Sequence, residues 1–309
     1  MHENEYLCKP AEGGQHVGAQ KQHPGWVRWL ATLAVLGILI LAAGCGGGGQ
    51  PPSSASASGT GSGSGGDSGG GQGGGGSLLA EIKERGYMTF ANDAAYPPME
   101  FADPTNPEQV IGFDIDLGKA IAEKLGVEHR VVVVDWDGLL AGLQARQFDA
   151  VMSAMNITED RKAGADFVPY VEMGQLIVVK KGNPKGIRGL EDLKGKKIAV
   201  LLESTNEKLA RTIEGAEVVT FPSFPDALQE VANGRADATI LDEPVAYYYV
   251  KTQPDQYEIV GDVLQPMPVG IALPKGETEL VQAVQQALDE LKADGTYDQI
   301  YEKWFGKKP

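Results

Sequence analysis

Residues 130–152, RVVVVDWDGLLAGLQARQFDAVM, read as strand, helix, strand. Arg130–Val134 is a β-branched run, Leu139, Leu140 and Leu143 stripe one helical face, and Ala150–Met152 returns to strand. The alternation continues outward in both directions. Met88–Ala91 predicts a strand, and Phe113, Leu117, Ala120, Ile121 and Leu125 share a helical stripe that Gly126 ends. Downstream, Lys197–Leu201, Glu217–Thr220 and Ala238–Leu241 predict strands. Thr205–Ile213 and Pro225–Asn233 predict helices, and Val281, Val284, Leu288 and Leu291 stripe a late one. Such alternation predicts an α/β fold with a mostly parallel sheet. The halves also echo each other. Leu140, Leu143 and Asp149-Ala150 recur at the same spacing as Leu228, Val231 and Asp237-Ala238. Two similar α/β lobes would turn their strand C-termini, the usual ligand edge, towards each other.

Ahead of this body the chain changes character. Trp29–Ala43, WLATLAVLGILILAA, is apolar over 15 residues and follows Arg28. That is short for a membrane span, which needs about 20 residues. A basic flank, a short apolar core and small residues at its end describe a signal peptide. The ending Leu41-Ala42-Ala43-Gly44-Cys45 resembles a bacterial lipobox, which implies cleavage before Cys45 and a lipid on its thiol. Most of residues 46–77 are Gly or Ser, the composition of a flexible tether with a reach of roughly 30 Å. The expected order is therefore a lipoprotein signal peptide at 1–44, lipidated Cys45 and tether at 45–77, then the body.

Composition narrows the function. With 27 Lys+Arg against 42 Asp+Glu the net charge is −15, which argues against nucleic acid and against an anionic membrane surface as partners. The two cysteines, Cys8 and Cys45, both precede the body, so a disulfide, a cysteine zinc site and a thiol nucleophile are not expected there. His2, His16 and His23 precede the apolar stretch, leaving His129 alone in the body. A histidine metal cluster or a Ser-His-Asp triad is thereby excluded, and no metal or cofactor is expected.

Four motifs then coincide. They are Gly112-Phe113-Asp114-Ile115-Asp116-Leu117, Met152-Ser153-Ala154-Met155-Asn156-Ile157-Thr158-Glu159-Asp160-Arg161, Glu203-Ser204-Thr205-Asn206-Glu207, and Gly295-Thr296-Tyr297 with Tyr301 and Trp304-Phe305-Gly306. In this order and spacing, from about residue 78 to 309, they resemble the family 3 amino-acid-binding proteins of ABC importers. The lysine/arginine/ornithine, histidine and glutamine receptors are the most similar. The resemblance implies a type II periplasmic-binding-protein fold, two α/β lobes with the ligand cleft between. Lobe 1 would comprise 78–171 plus 269–309 and lobe 2 would comprise 172–268, with crossovers near Val171–Gln175 and Pro266–Gly270. It also implies a monomer, held outside the cell membrane by its lipid. The monomer would close around a free L-amino acid and deliver it to the membrane subunits of a permease.

An α-amino acid presents a carboxylate and an ammonium. The planar, always-charged fork of Arg suits the carboxylate. The family's carboxylate-binding arginine falls at Arg161, where a surface pair with Asp160 or Glu159 is the plain alternative. Asp242 follows the apolar run Ala238–Leu241 at a strand end, the place of the family's ammonium-binding aspartate, and could also cap the helix opening at Pro244. Ser204-Thr205-Asn206-Glu207 has capping-box spacing, and the family aims the backbone near Thr205 at the ligand carboxylate. Glu203 stands where the family usually has Gly. For the side chain, the resemblance implies a pocket of Asp93, Tyr96, Trp136 and Leu201, with Tyr96 and Trp136 sandwiching the ligand stem. Ser153, Ala154 and Asn156 would line the same cleft. Asp93 is the specificity residue, and apolar Leu201 tilts the reading towards a basic ligand among Arg, Lys, His and Gln. Lys194-Gly195-Lys196-Lys197 reads as a solvated turn and Tyr247-Tyr248-Tyr249 as helix packing.

Two other classes share the fold. Cyclohexadienyl (arogenate/prephenate-type) dehydratases place a general acid in a turn similar to Thr205-Asn206-Glu207, which would make Glu207 the acid. As a cap, Glu207 would instead reach back to the Ser204 backbone. A sensory module would need a signalling domain after Pro309. The receptor reading, without catalysis, accounts for the paired Arg161 and Asp242.

Overall fold

The computed structural model describes residues 77–309. The expected signal peptide, Cys45 and all of the tether except Ser77 lie outside the described residues. The body opens with α1 (Leu78–Arg85), β1 (Tyr87–Asn92), β2 (Ala95–Tyr96), β3 (Glu100–Asp103), β4 (Asn106–Ile111) and α2 (Phe113–Leu125). Then come β5 (Glu128–Val133), α3 (Leu139–Gln144), β6 (Ala150–Val151), α4 (Glu159–Lys162) and β7 (Ala165–Lys180). The second half holds β8 (Lys197–Leu201), α5 (Thr205–Arg211), β9 (Glu217–Phe221), α6 (Phe224–Ala232), β10 (Ala238–Asp242) and α7 (Glu243–Thr252). It closes with β11 (Tyr257–Pro274), α8 (Thr278–Ala293) and α9 (Thr296–Phe305). Each element read from periodicity is present, its ends shifted by a residue or two, the usual scatter where helices and strands fray.

The strands line up as β5-β1-β6-β11-β7-β10-β8-β9. Both ends are parallel: β1 pairs β5 and β6, and β8 pairs β9 and β10. The centre is antiparallel, because β7 and β11 run beside one another from one half into the other. The expected crossovers face each other there. Val269 pairs with Val171, Pro268 with Glu172 and Met267 with Met173, amid register shifts between Val260 and Leu264, Leu264 and Met267, and Val269 and Gly270. Bulged, proline-bearing strands bend, which suits two halves that swing.

The internal echo has a physical basis. Asp149 accepts the Thr89 N–H at 2.7 Å and its own N–H donates to the Thr89 carbonyl at 3.2 Å. Asp237 does the same with Lys197, at 3.0 and 2.8 Å. In each half an aspartate ties the start of one strand to its parallel neighbour. Leu143 and Val231 bury the helices that precede these pairs.

Gly112 shows why its motif needs glycine. Its φ is 146°, and a Cβ there would lie 2.0 Å from the Met99 carbonyl oxygen. Only glycine allows α2 to start so close to the loop before β3. Phe113 then buries fully among Tyr170, Tyr297, Tyr301 and Phe305, joining α2 and α9 to β7. Such a buried ring contributes about 2–3 kcal/mol. Gly126 ends α2 in the left-handed region at φ 76°. Tyr249 of the tyrosine trio joins the core. Among the described residues no helix is long and apolar enough to cross a membrane.

Candidate functional site

The carboxyl ends of strands from both halves converge on one cavity. After β1 come Asp93 and Tyr96, and β3 adds Glu100. Trp136 follows β5, and Ser153, Ala154 and Asn156 follow β6. From the second half come Leu201 at the end of β8, Ser204, Thr205 and Asn206 opening α5, Phe224 opening α6, and Asp242 ending β10. Parallel strands leave their unpaired ends and connecting loops here, the usual ligand edge. The cavity measures about 10 Å³, room for one water at most, so any larger occupant requires the walls to part. Three of the lining loops hold a non-glycine residue at positive φ: Ala94 at 53°, Ala154 at 43° and Glu203 at 59°. Left-handed backbone costs such residues about 1–2 kcal/mol each. Glu203 therefore keeps the turn geometry that a glycine would adopt freely.

Nine of the ten residues expected in the pocket line this cavity; the tenth, Arg161, is not one of its walls but contacts two of them, Asn156 and Trp136. Arg161 is 8% exposed. Its Nη1 donates to the Asn156 carbonyl at 2.8 Å and its Nη2 to the Glu203 carbonyl at 3.2 Å, so it reaches from one half to the other. The guanidinium carbon lies 5.1 Å from the Trp136 ring centre. Burial pushes the Arg161 guanidinium down to about 10, against the pull of Asp242, Asp160 and Glu203. The surface pairing considered above goes to a different residue: Asp160 takes Lys208, at 2.6 Å.

Asp242 sits at the N-cap position of α7 but makes no side-chain capping bond. Its carboxylate turns into the cavity and accepts from Asn206 Nδ2 at 3.2 Å. Burial raises its pKa, with Tyr96, Asn206 and Arg161 partly offsetting the effect. Asp93 Oδ1 accepts the Ala95 N–H at 3.0 Å, and burial pushes its carboxyl up to about 6.

The polar rim crosses between the halves. Thr205 Oγ1 donates to Asn156 Oδ1 at 2.8 Å and accepts from Gln175 Nε2 at 3.2 Å. Several buried polar atoms at the cavity find no hydrogen-bond partner among the described residues, including the Tyr96 hydroxyl, Asn156 Nδ2 and Glu100 Oε2. Buried polar groups are normally paired, and orphans gathered at one cavity mark where a ligand's polar atoms belong.

Comparison with known proteins agrees with this geometry. The model of the bacterial extracellular solute-binding proteins, family 3, matches residues 88–307. The chain belongs to that family. The L-cystine-binding protein TcyJ of Escherichia coli K12 is 36% identical over 231 residues, 74% of this chain and 86% of that one. An ancestral arginine-binding protein bound to arginine is 48% identical with a TM-score of 0.68, over 72% of this chain and 99% of that one. An ancestral amino acid-binding protein, a precursor of cyclohexadienyl dehydratase, is 45% identical with a TM-score of 0.70, over 74% and 100%. The fold is thus the type II periplasmic-binding-protein fold, and these relatives are named for binding. The chain is a solute-binding protein rather than an enzyme.

The geometry of Glu207 fits that conclusion. Ser204 Oγ accepts the Glu207 N–H at 3.0 Å, completing the cap. The carboxylate reaches back to the N–H of Glu203, one residue earlier than expected, at 2.6 Å, because the Ser204 N–H is taken by the Leu201 carbonyl. Its other oxygen pairs with Arg211 at 2.6 Å. Both oxygens hold donors outside the cavity, so Glu207 is not aimed into it.

In this solute-binding protein Tyr96 stacks on Phe224, with ring centres 4.6 Å apart, and Trp136 lies under Arg161. Ser153 is buried, accepts the Asp93 N–H at 3.3 Å and donates to Glu100 Oε1 at 2.8 Å. Sequence reading missed Glu100, Ser204 as a wall, Asn206 and Phe224. Glu100 left a signal, an acid between Met99 and Phe101 beside the Pro97-Pro98 turn. Phe224 left none, since an aromatic at a helix start is ordinary core.

Proposed function

We infer that the protein is the extracytoplasmic receptor of an ABC importer and takes a polar or basic free L-amino acid. One observation carries this reading. Asp242 lines the small cavity from one half of the fold, and Arg161, opposite in charge and also buried, is bonded from the other half to the carbonyl of Asn156, another of its walls. A carboxylate and an ammonium on one carbon are the ligand groups that match such a pair. The names of the cystine- and arginine-binding relatives support the same class.

On this reading lobe 1 comprises 78–171 plus 269–309 and lobe 2 comprises 172–268. The lobes part by bending at Val171–Gln175 and Pro266–Gly270 and close on the ligand. Arg161 takes the α-carboxylate, releasing the Asn156 and Glu203 carbonyls. Asp242 takes the ammonium, and Asp93, Tyr96, Trp136 and Leu201 face the side chain. The closed monomer presents its joined lobes to the permease, while Cys45 carries the lipid that holds it at the membrane. Micromolar affinity corresponds to about −8 kcal/mol.

A thermal-shift screen of the protein against the proteinogenic amino acids tests this. A ligand at 100 times its Kd adds about 2.7 kcal/mol of stability. A clear shift with arginine, lysine, histidine or glutamine is expected. No shift with any amino acid would refute the reading.

A further inference from the structure

Three side chains link the two crossovers through the cavity wall. Gln175 ends the first crossover, in β7, where it pairs with Asp242 of β10 and Leu264 of β11. It is wholly buried and is not itself a wall of the cavity. Its Nε2 donates to Thr205 Oγ1 at 3.2 Å, and Thr205 Oγ1 donates to Asn156 Oδ1 at 2.8 Å. Asn156 in turn forms a β-bridge with Val269 of the second crossover. The Ile157 N–H, donating to the Pro268 carbonyl at 2.8 Å, fixes Asn156 there.

This relay has a direction. A hydroxyl owns one proton, and an amide accepts at oxygen and donates at nitrogen. Gln175 donates to Thr205, so the Thr205 proton goes to Asn156 Oδ1 and Asn156 Nδ2 is left over. That nitrogen is buried without a partner among the described residues, and Asn156 lines the cavity. At the far end Gln175 Oε1 is left over in the same way. The reverse relay would run from Asn156 Nδ2 through Thr205 to Gln175 Oε1 and leave Asn156 Oδ1 over. Both directions make two bonds, but they offer a ligand opposite atoms. A carboxylate only accepts, so a free nitrogen adds a charge-assisted bond and a free oxygen repels. Arg161 Nη1 is bonded to the Asn156 carbonyl, which puts the carboxylate's place beside this amide. The ladder favours the first direction. Asp242 stands opposite Gln175, so their side chains share a face, and a carboxylate there draws the amide nitrogen rather than its oxygen.

We propose that Gln175 is a positioning residue for the ligand α-carboxylate: its donation to Thr205 commits the relay to the direction that leaves Asn156 Nδ2 free for that carboxylate. The proposal rests on the amino-acid receptor reading and adds to it a residue that touches no ligand atom. Gln175 and Thr205 both belong to lobe 2 as read above, so their bond persists while the lobes are apart. The Thr205 proton is then aimed before closure, which lowers the ordering cost of binding.

The test replaces Gln175 by methionine, of similar length and without a strong donor or acceptor. The purified protein is titrated calorimetrically with the proteinogenic amino acid that gives the largest thermal shift. Gln175→Met should weaken binding by about threefold or more, the worth of one hydrogen bond. Its Tm without ligand should hold or rise, because an unpaired buried oxygen leaves with the amide. In a Thr205→Val background the same substitution should change affinity by less than about twofold, since Gln175 acts only through that hydroxyl. A smaller loss in Gln175→Met, an equal loss in both backgrounds, or a lowered Tm without ligand overturns the proposal alone. Should a variant fail to fold or bind too weakly to compare, nuclear magnetic resonance of the unmodified protein decides. The Asn156 side-chain amide protons should move downfield on binding, and unmoved resonances overturn the proposal. Binding of no amino acid overturns the receptor reading and this proposal with it.

Discussion

Asp242→Asn separates a charge kept for a ligand from a charge kept for the fold. Asp242 is 3% exposed and accepts a hydrogen bond from Asn206 Nδ2 at a long 3.2 Å. It forms no cap for α7. Burial already disfavours its charged form, so an amide of the same size removes an unfavourable charge and keeps the Asn206 contact. Without added ligand, stability should hold or rise by about 1 kcal/mol, which is about 2–4 °C in Tm for a body of this size. Binding should respond in the opposite sense. Losing the partner of a buried ammonium costs about 2–5 kcal/mol, or roughly 30-fold to several-thousand-fold in Kd. Thermal unfolding with and without arginine, paired with calorimetric titration, reads both quantities. If Asp242→Asn binds within about threefold of the unmodified protein, or loses more than about 1 kcal/mol without ligand, Asp242 is structural and the head-group assignment is wrong.

Other substitutions probe the same site. Asp93, at about 6 when folded against 3.8 ordinarily, has a raised pKa, so it weakens the fold as pH climbs from about 4 to 6 and does so fully above that. Asp93→Asn should therefore stabilise the protein without ligand by roughly 1–3 kcal/mol near pH 8, a gain that denaturant melts should find gone near pH 4. Glu203→Gly relieves a φ of 59° and should add about 0.5–1 kcal/mol in the same melts, net of the looser unfolded chain. Glu207→Gln removes the charged partner of Arg211 while Ser204 keeps its cap, so it should cost about 0.5–1 kcal/mol and leave ligand affinity within about threefold by titration.

What the sequence revealed depended on range. The helical stripes of α2 and α8 and the β-branched runs of β5 and β8 are local patterns, and each folded as read. The repeated Asp-Ala pairs were legible because one strand-tying role imposes one spacing. The antiparallel centre was not legible from periodicity. β11 carries Pro266, Pro268 and Gly270 with broken register, and its pairing with β7 joins residues about 100 apart. In the site, charged and strand-end residues stood out because their types are unusual there. Phe224 as the stacking partner of Tyr96 depends on how the two halves meet, which no single stretch encodes. Glu100 was overlooked for a related reason. An acid near a proline turn reads as surface, and only the fold buries it against Asp114.

The distribution of unmet polar groups explains why binding can drive closure. Each buried unpaired polar atom costs about 1–3 kcal/mol, and apolar residues of similar size would make the body more stable. At this cavity the Tyr96 hydroxyl, Asn156 Nδ2 and Glu100 Oε2 lack partners, while burial works against the charges of both Arg161 and Asp242. These groups come from both halves, so a solute engaging only one half satisfies part of them. A solute with a carboxylate, an ammonium and a distal donor satisfies groups on both sides at once, and only when the halves meet. Differential contact of this kind is what a ligand needs to shift a two-state equilibrium. Glu207, the acid that a dehydratase reading would use, is held by Arg211 and the Glu203 N–H away from the cavity. The same loops hold Ala94, Ala154 and Glu203 in left-handed backbone. Strain kept at a lining that is also under-paired in polar contacts is consistent with selection for recognition at the expense of stability.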